Sequence, residues 1–310
     1  MIVIGSRGSQ LALWQARWIE ARLTSLGAEC RIEIIRTTGD KITDVPLAKV
    51  GSKGLFTKEL EEALLVGVID VAVHSLKDIP TDLPAGLSLR AVPEREDFHD
   101  ALIGRKLEDL SRGARVGTSS LRRAAQLRAV RPDLDVANLR GNLDTRLRKL
   151  DEGQYEAIVL AAAGLRRLGW AERITELLPV EVMCPAVGQG ALAIETREDD
   201  GEAARLCLKL EHPDTRAAIT AERAVLGSLG GGCQVPIGAN ATVENGTVRL
   251  RAVVIAPEGD RVVHGERKGS MSDAEALGRD LGQELIANGG RLILESVYGT
   301  SDAPANPTLT

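Results

Sequence analysis

Twice along this chain a short apolar strand runs into glycine and hydroxyl residues and then into a helix bearing arginine. The first instance is Ile2–Ile4, then Gly5-Ser6-Arg7-Gly8-Ser9, then a helix reaching about Leu26. The second is Arg115-Val116-Gly117-Thr118-Ser119-Ser120, with Arg122 and Arg123 just inside the helix that follows. Strands that alternate with helices pair in parallel and build layered α/β folds. The intervening segments keep the pattern. Cys30–Ile35 alternates apolar and charged residues as a strand does, and Ile69–Val73 is a second apolar strand. Leu55–Val66 between them reads as a helix with Lys58 and Glu62 four residues apart. The series restarts near Asp97, with Asp135–Leu139 and Ala157–Leu160 as further strands. Two similar α/β lobes around a cleft are expected, and Pro185–Ile194 is expected to cross back to the first.

The last third differs in kind. Ala239–Val243, Thr247–Ile255 and Arg261–Arg267 read as strands, joined by a tight Asn245-Gly246 turn and a looser one at Pro257–Asp260. A helix is expected from Ser272, with Glu275 completing a capping box, to Asn288-Gly289, and a solvated tail after about Tyr298. At 310 residues the chain exceeds one comfortable core, so two or three domains are expected.

Net charge is −5, but between Arg105 and Arg148 eleven basic residues face five acidic ones. Seven aromatics are few for stacking on single strands, and the overall acidity opposes duplex binding. Arginine dominates the basic stretch, and its planar fork suits bidentate grip on carboxylate or phosphate. A small polyanion is therefore expected, and no nucleic acid. No apolar run approaches the roughly 20 residues of a membrane helix, and Met1–Arg7 reads as a first strand instead of an export signal. Cys30, Cys184, Cys207 and Cys233 form no CxxC pair, which fits a reducing compartment and offers no metal site. A cytoplasmic location is expected.

Several places carry candidate chemistry. Gly5–Ser9 and Gly117–Ser120 join strand ends to helix starts, where free N–H groups hold anions; ordinary capping by serine is the competing reading. Arg140 and Arg146 flank a Gly-Asn turn, and Arg166 and Arg167 follow a buried strand; none has an evident acid partner in sequence. Lys77-Asp78 ends an apolar strand at the carboxyl side, where α/β folds place ligands, and Pro80 stops the strand from continuing. Asp78 there could stabilise a cation or shuttle a proton, or simply form a turn. His74 reads as a packed strand-end residue. Gly51-Ser52-Lys53-Gly54 lacks the spacing of a phosphate-cradling loop. Finally, Gly230-Gly231-Gly232-Cys233 strips side chains from around a thiol, as an attached bulky group would need, though a small buried cysteine would look the same.

Taken together these stretches resemble the porphobilinogen deaminase (hydroxymethylbilane synthase) family. The resemblance rests on Arg7–Gln15, Pro46–Phe56, Val73–Pro80, Val116–Arg123, Leu139–Asn142, Pro185–Gly190, and Glu222-Arg223 ahead of Gly231–Pro236. It implies two periplasmic-binding-protein-like lobes plus a small C-terminal α+β domain with a three-stranded antiparallel sheet. The boundaries would be 1–95 with 190–209, then 96–189, then 210–310. It also implies a dipyrromethane cofactor attached to Cys233 by a thioether. Four porphobilinogen molecules would add head to tail, each losing ammonia, and water would release hydroxymethylbilane. Asp78 would be the catalytic residue. Lys77, Ser120, Arg122, Arg123 and Gly190 would hold the cofactor, and Arg7, Ser9, Phe56, Arg140, Arg146, Arg167 and Gln189 the substrate. Lys49, Lys53 and Phe56 would belong to a mobile loop, and the protein would be a monomer. Motion about hinges near Asp97 and Pro185–Gly190 would admit the lengthening chain. A non-enzymatic two-lobed binder of a small polyanion, or a phosphate-ligand enzyme, are the competing readings, since fold alone does not decide function.

Overall fold

The computed structural model describes residues 1–38, 56–199, 201–230 and 236–298. The first sheet holds β1 (Ile2–Ser6), β2 (Cys30–Ile34), β3 (Val71–Ser75), β4 (Leu87–Ala91) and β10 (Leu192–Arg197) in the order β2-β1-β3-β10-β4. The second holds β5 (Asp100–Ile103), β6 (Arg115–Gly117), β7 (Asp135–Ala137), β8 (Ala157–Ala161) and β9 (Glu176–Leu178) in the order β7-β6-β8-β5-β9. The two orders correspond strand for strand. In each sheet the first three strands are parallel. In each the fourth, β10 or β5, is antiparallel to both neighbours. That fourth strand is the one the chain enters from the other lobe. The likeness between the lobes, faint in sequence, is therefore topological.

Packing explains the local choices. Val71–Val73 and Ala157–Leu160 are buried on both faces, which requires continuous apolar runs in place of alternation. Helix α1 (Gln10–Ser25) buries Ala16, Ile19 and Leu23 along one stripe against the first sheet. Helix α2 (Lys58–Leu65) is shorter than expected; its Lys58–Glu62 pair is exposed at 3.8 Å. The remaining lobe helices are α3 (Leu121–Val130), α4 (Leu143–Asp151), α5 (Ala162–Arg167) and α6 (Glu202–Leu208). Gly5 and Gly117 are needed for close packing: a Cβ at Gly5 would lie 2.3 Å from Ile69 Cδ1, and one at Gly117 would lie 2.9 Å from the Tyr155 ring.

The third unit packs α7 (Pro213–Ser228), α8 (Ala274–Leu285) and α9 (Arg291–Tyr298) on an antiparallel sheet of β11 (Ile237–Glu244), β12 (Thr247–Ile255) and β13 (Val262–Ser270). Asn245 and Gly246 both have positive φ (50° and 74°), as the tight hairpin requires. The helix after β13 departs from the expected capping box. Ser270 accepts from Ser272 N at 3.3 Å, and a single 3₁₀ turn precedes α8. The chain does not stop at Asn288-Gly289 either; a widened turn with Gly289 at φ 106° carries it into α9. Among the described residues, no helix is long and apolar enough to cross a membrane.

Candidate active site

Strand β3 ends in one 3₁₀ turn, Leu76–Asp78, ahead of extended Ile79 and Pro80. Leu76 and Ile79 are buried on either side, so Lys77 and Asp78 between them stay half-buried at the strand's carboxyl end. The near side of the turn is fixed twice: Leu76 N donates to Ala191 O at 3.0 Å, and Gln15 Nε2 from α1 donates to Ser75 Oγ at 2.8 Å. Desolvation, reinforced by the Arg123 guanidinium, lowers the Lys77 ammonium to about 8 despite Asp78 and Asp100.

The second lobe brings its arginines to the same place. Burial lowers Arg146 to about 10, with Arg123 and Arg140 adding like-charge repulsion and Asp78 opposing both. Arg146 Nε donates to Gly141 O at 2.7 Å, which orients the side chain from the turn preceding its own helix. Arg140 holds a buried Nη1 that has no hydrogen-bond partner among the described residues. A buried guanidinium nitrogen left unpaired is costly unless an anion meets it. Lys77, Asp78, Arg123, Arg140 and Arg146, dispersed in sequence, thus share one electrostatic neighbourhood.

Other expected contacts turn inward. Arg122 and Arg123, expected to hold the cofactor, share an acid partner: Asp100 on β5 accepts from Arg122 Nη1 at 2.8 Å and from Arg123 Nε at 2.9 Å. Arg122 Nη1 also donates to Cys184 O, leaving it 4% exposed. Burial alone would raise the Asp100 carboxyl, but the two guanidiniums hold it far below the usual carboxylate range. Gln189, expected to touch substrate, is buried. Its Nε2 donates to Phe98 O at 2.8 Å and Asp100 Oδ1 at 2.9 Å, and its Oε1 accepts from Arg123 Nη2 at 3.4 Å. An amide offers both donor and acceptor, so it completes the Asp100 cage where the chain crosses between lobes. Arg167 also has partners: Gly190 O at 2.6 Å, and the Trp14 ring of the other lobe 5.9 Å away. Burial lowers Arg167 to about 10. Gly190 itself, at φ 87°, has room for no side chain, since a Cβ would lie 2.4 Å from Glu96 O. Arg166 is likewise paired, with Asp97 Oδ2 at 2.8 Å.

The serines of the two strand-to-helix loops cap. Ser9 Oγ accepts from Ala12 N at 3.3 Å, and Ser120 Oγ from Arg123 N at 3.4 Å. Arg7 stacks over Phe56 at 4.2 Å. His74 is buried and meets Glu195 Oε2 at 3.0 Å, as a packed residue does. Cys233, Lys49 and Lys53 lie outside the described residues. Asp100 escaped notice in the sequence, although an acid opening the apolar strand Asp100–Ile103, with adjacent arginines downstream, was a usable signal.

The profile described as "Porphobilinogen deaminase, dipyromethane cofactor binding domain" matches residues 2–205, and "Porphobilinogen deaminase, C-terminal domain" matches 216–287. A porphobilinogen deaminase from Syntrophobacter fumaroxidans is 52% identical over 303 residues, covering 96% of this chain and 98% of its own. One from Pelobacter propionicus is 51% identical, covering 95% of this chain and 96% of its own. Among solved structures, a periplasmic substrate-binding protein of an ABC transporter from Coxiella burnetii aligns with 68% of this chain and 91% of its own, at 14% identity and a TM-score of 0.43.

Proposed function

The chain belongs to the porphobilinogen deaminase family, and from that premise we propose that it joins four porphobilinogen molecules head to tail, with loss of ammonia, and releases hydroxymethylbilane by hydrolysis. It is a transferase of porphyrin and heme biosynthesis, a hydroxymethylbilane synthase with a dipyrromethane cofactor. The observation that carries the reading is the Asp78 carboxylate set among Lys77, Arg140 and Arg146, with a guanidinium nitrogen of Arg140 buried and, among the described residues, unpaired.

That donor set fits the cofactor. Dipyrromethane carries acetate and propionate carboxylates, and Lys77, Arg140 and Arg146 are cations whose burial is relieved when anions meet them. When bound through Cys233 it would supply the free pyrrole carbon to which the first ring is joined, each later ring joining the one before it. The chain's own residues do the rest. Asp78 accepts the N–H of a ring whose nitrogen becomes positive as ammonia leaves, and takes up or returns the proton displaced at the new bond. Arg140 and Arg146 neutralise carboxylates that would repel one another in a weakly screening space. Ser120, Arg7, Ser9 and Phe56 complete the walls.

Arg123, with Arg122 behind it, acts from the Asp100 cage: the shared carboxylate fixes the Arg123 guanidinium, whose charge is felt at Lys77. Gln189 and Gly190 serve by holding Arg123 and Arg167 in place. The same reading divides the chain into 1–95 with 190–209, 96–189 and 210–310, which the matching strand orders of the two sheets support. It also makes the protein a cytoplasmic monomer that binds no nucleic acid; for the last, a net charge of −5 opposes binding to a polyanionic duplex.

The test is an intact-protein mass spectrum with a turnover assay. An excess equal to two pyrrole units, present in the wild type and absent in Cys233→Ala, supports the reading. An unmodified wild-type chain that leaves porphobilinogen unconsumed, even when supplied as primer, overturns it.

A further inference from the structure

Helix α7 meets the Asp78 turn twice on one face. Ile219 joins Leu76 and Ile79 in a buried apolar cluster. Arg223, four residues on and so one helical turn along the same face, donates from Nη2 to Pro80 O at 2.7 Å and to Thr81 O at 2.9 Å, with a longer Nη1 contact to Ile79 O at 3.5 Å. A single guanidinium therefore grips three consecutive carbonyls directly after Asp78. These carbonyls belong to the first lobe, whereas α7 belongs to the third unit and runs out at Ser228, five residues before Cys233 in the chain.

Apolar contact through Ile219 is non-directional and does not set the angle of the turn. The seam beside it is not packed shut either: a cavity of about 500 Å³, lined among others by Leu89, Ile219, Arg223 and Arg279, lies along it. What fixes the far side of the turn is the planar fork of Arg223, just as Leu76 N on Ala191 O fixes the near side. Asp78 lies between these two anchors.

We propose that Arg223 is a positioning residue for Asp78, holding its carboxylate in register with the helix that leads to the cofactor cysteine. The proposal rests on the reading of Asp78 and Cys233 given above. Arg223 touches no reacting atom in this scheme; it acts through the backbone of residues 79–81.

The experiment compares wild type, Arg223→Met and Arg223→Lys, each as the full chain loaded with cofactor and checked by intact mass. Hydrogen exchange of the peptide spanning 76–83 is followed beside steady-state kinetics with porphobilinogen. A misplacement of order 1 Å lowers kcat about 10²-fold, so that loss is expected in Arg223→Met, with KM held within about twofold. Exchange in 76–83 is expected to rise roughly tenfold while α7 and α8 keep their protection. Arg223→Lys, which keeps the charge but not the fork, should fall between. If Arg223→Met fails to fold, Arg223→Lys carries the test alone. The proposal is overturned by wild-type kcat in Arg223→Lys, by a rise in KM with kcat unchanged, or by unaltered exchange in 76–83. A wild type inactive on porphobilinogen would sink the functional reading instead, and the exchange data would still decide whether Arg223 holds the turn.

Discussion

Nη1 of Arg95 lies 2.6 Å from Oε1 of Glu222, with Glu222 wholly buried. The pair is a junction between units. Glu222 on α7 also accepts from Gly188 N and Ala241 N, each at 2.7 Å, and Arg95 Nε donates to Gln189 O at 2.8 Å. Both chain crossings between the lobes, near residues 95 and 188, and strand β11 are thereby tied to one carboxylate.

Glu222→Gln should lower stability by about 3–5 kcal/mol, because it leaves the Arg95 charge buried without compensation. Urea midpoints at constant m would measure this. Replacing both residues by apolar ones should recover much of the loss, and a single-variant loss below about 1 kcal/mol would contradict the buried-pair account.

Asp100→Asn removes the carboxylate that Arg122 and Arg123 share, and a loss of similar size, about 3–5 kcal/mol, is expected at neutral pH. The sign with pH follows from a depressed folded-state value. The advantage of wild type over the variant is full above the unfolded value of about 3.9 and shrinks as pH falls below it. Acid titrations of both proteins by circular dichroism should converge at low pH. Curves that stay parallel down to the acid limit would count against the cage.

Asp78→Asn should lower kcat by about 10²–10⁴-fold, the range for loss of a positioned proton-transfer group. The side chain is half-buried and the change isosteric, so the melting temperature should move by no more than about 2 °C. Near-normal turnover would remove Asp78 from its role.

In the Cys233→Ala chain, which would carry no cofactor carboxylates, Lys77 should titrate at about 8. Its folded value lies below the unfolded one of about 10.4, so the folded state binds fewer protons between the two. Stability contributed by Lys77 therefore rises with pH across that window, and adding Lys77→Met should abolish the rise. In the loaded wild type, nearby carboxylates favour the ammonium and should move the titration upward. Isotope-edited NMR of the lysine side chain would follow both states; an identical value in the two would argue that Lys77 does not meet the cofactor.

The alternation of strand and helix, the Asn245-Gly246 hairpin and the position of Asp78 at a strand's carboxyl end were legible in the chain itself. Backbone angles and burial period are set by residues a few positions apart, and so they appear in a linear reading. A small polyanion was also to be expected from the chain itself, because arginine's fork suits carboxylate or phosphate wherever the fold puts it, but the choice between the two was not. Which of those arginines face the ligand was not legible. Arg122 turns to an acid 22 residues away, and Arg95 to one 127 residues away. Gln189 likewise faces inward because Phe98 and Asp100, from the other crossing, reach it there. Partners so distant in sequence meet only when whole sheets dock, and the low dielectric of the docked interior then obliges each buried charge to find its opposite.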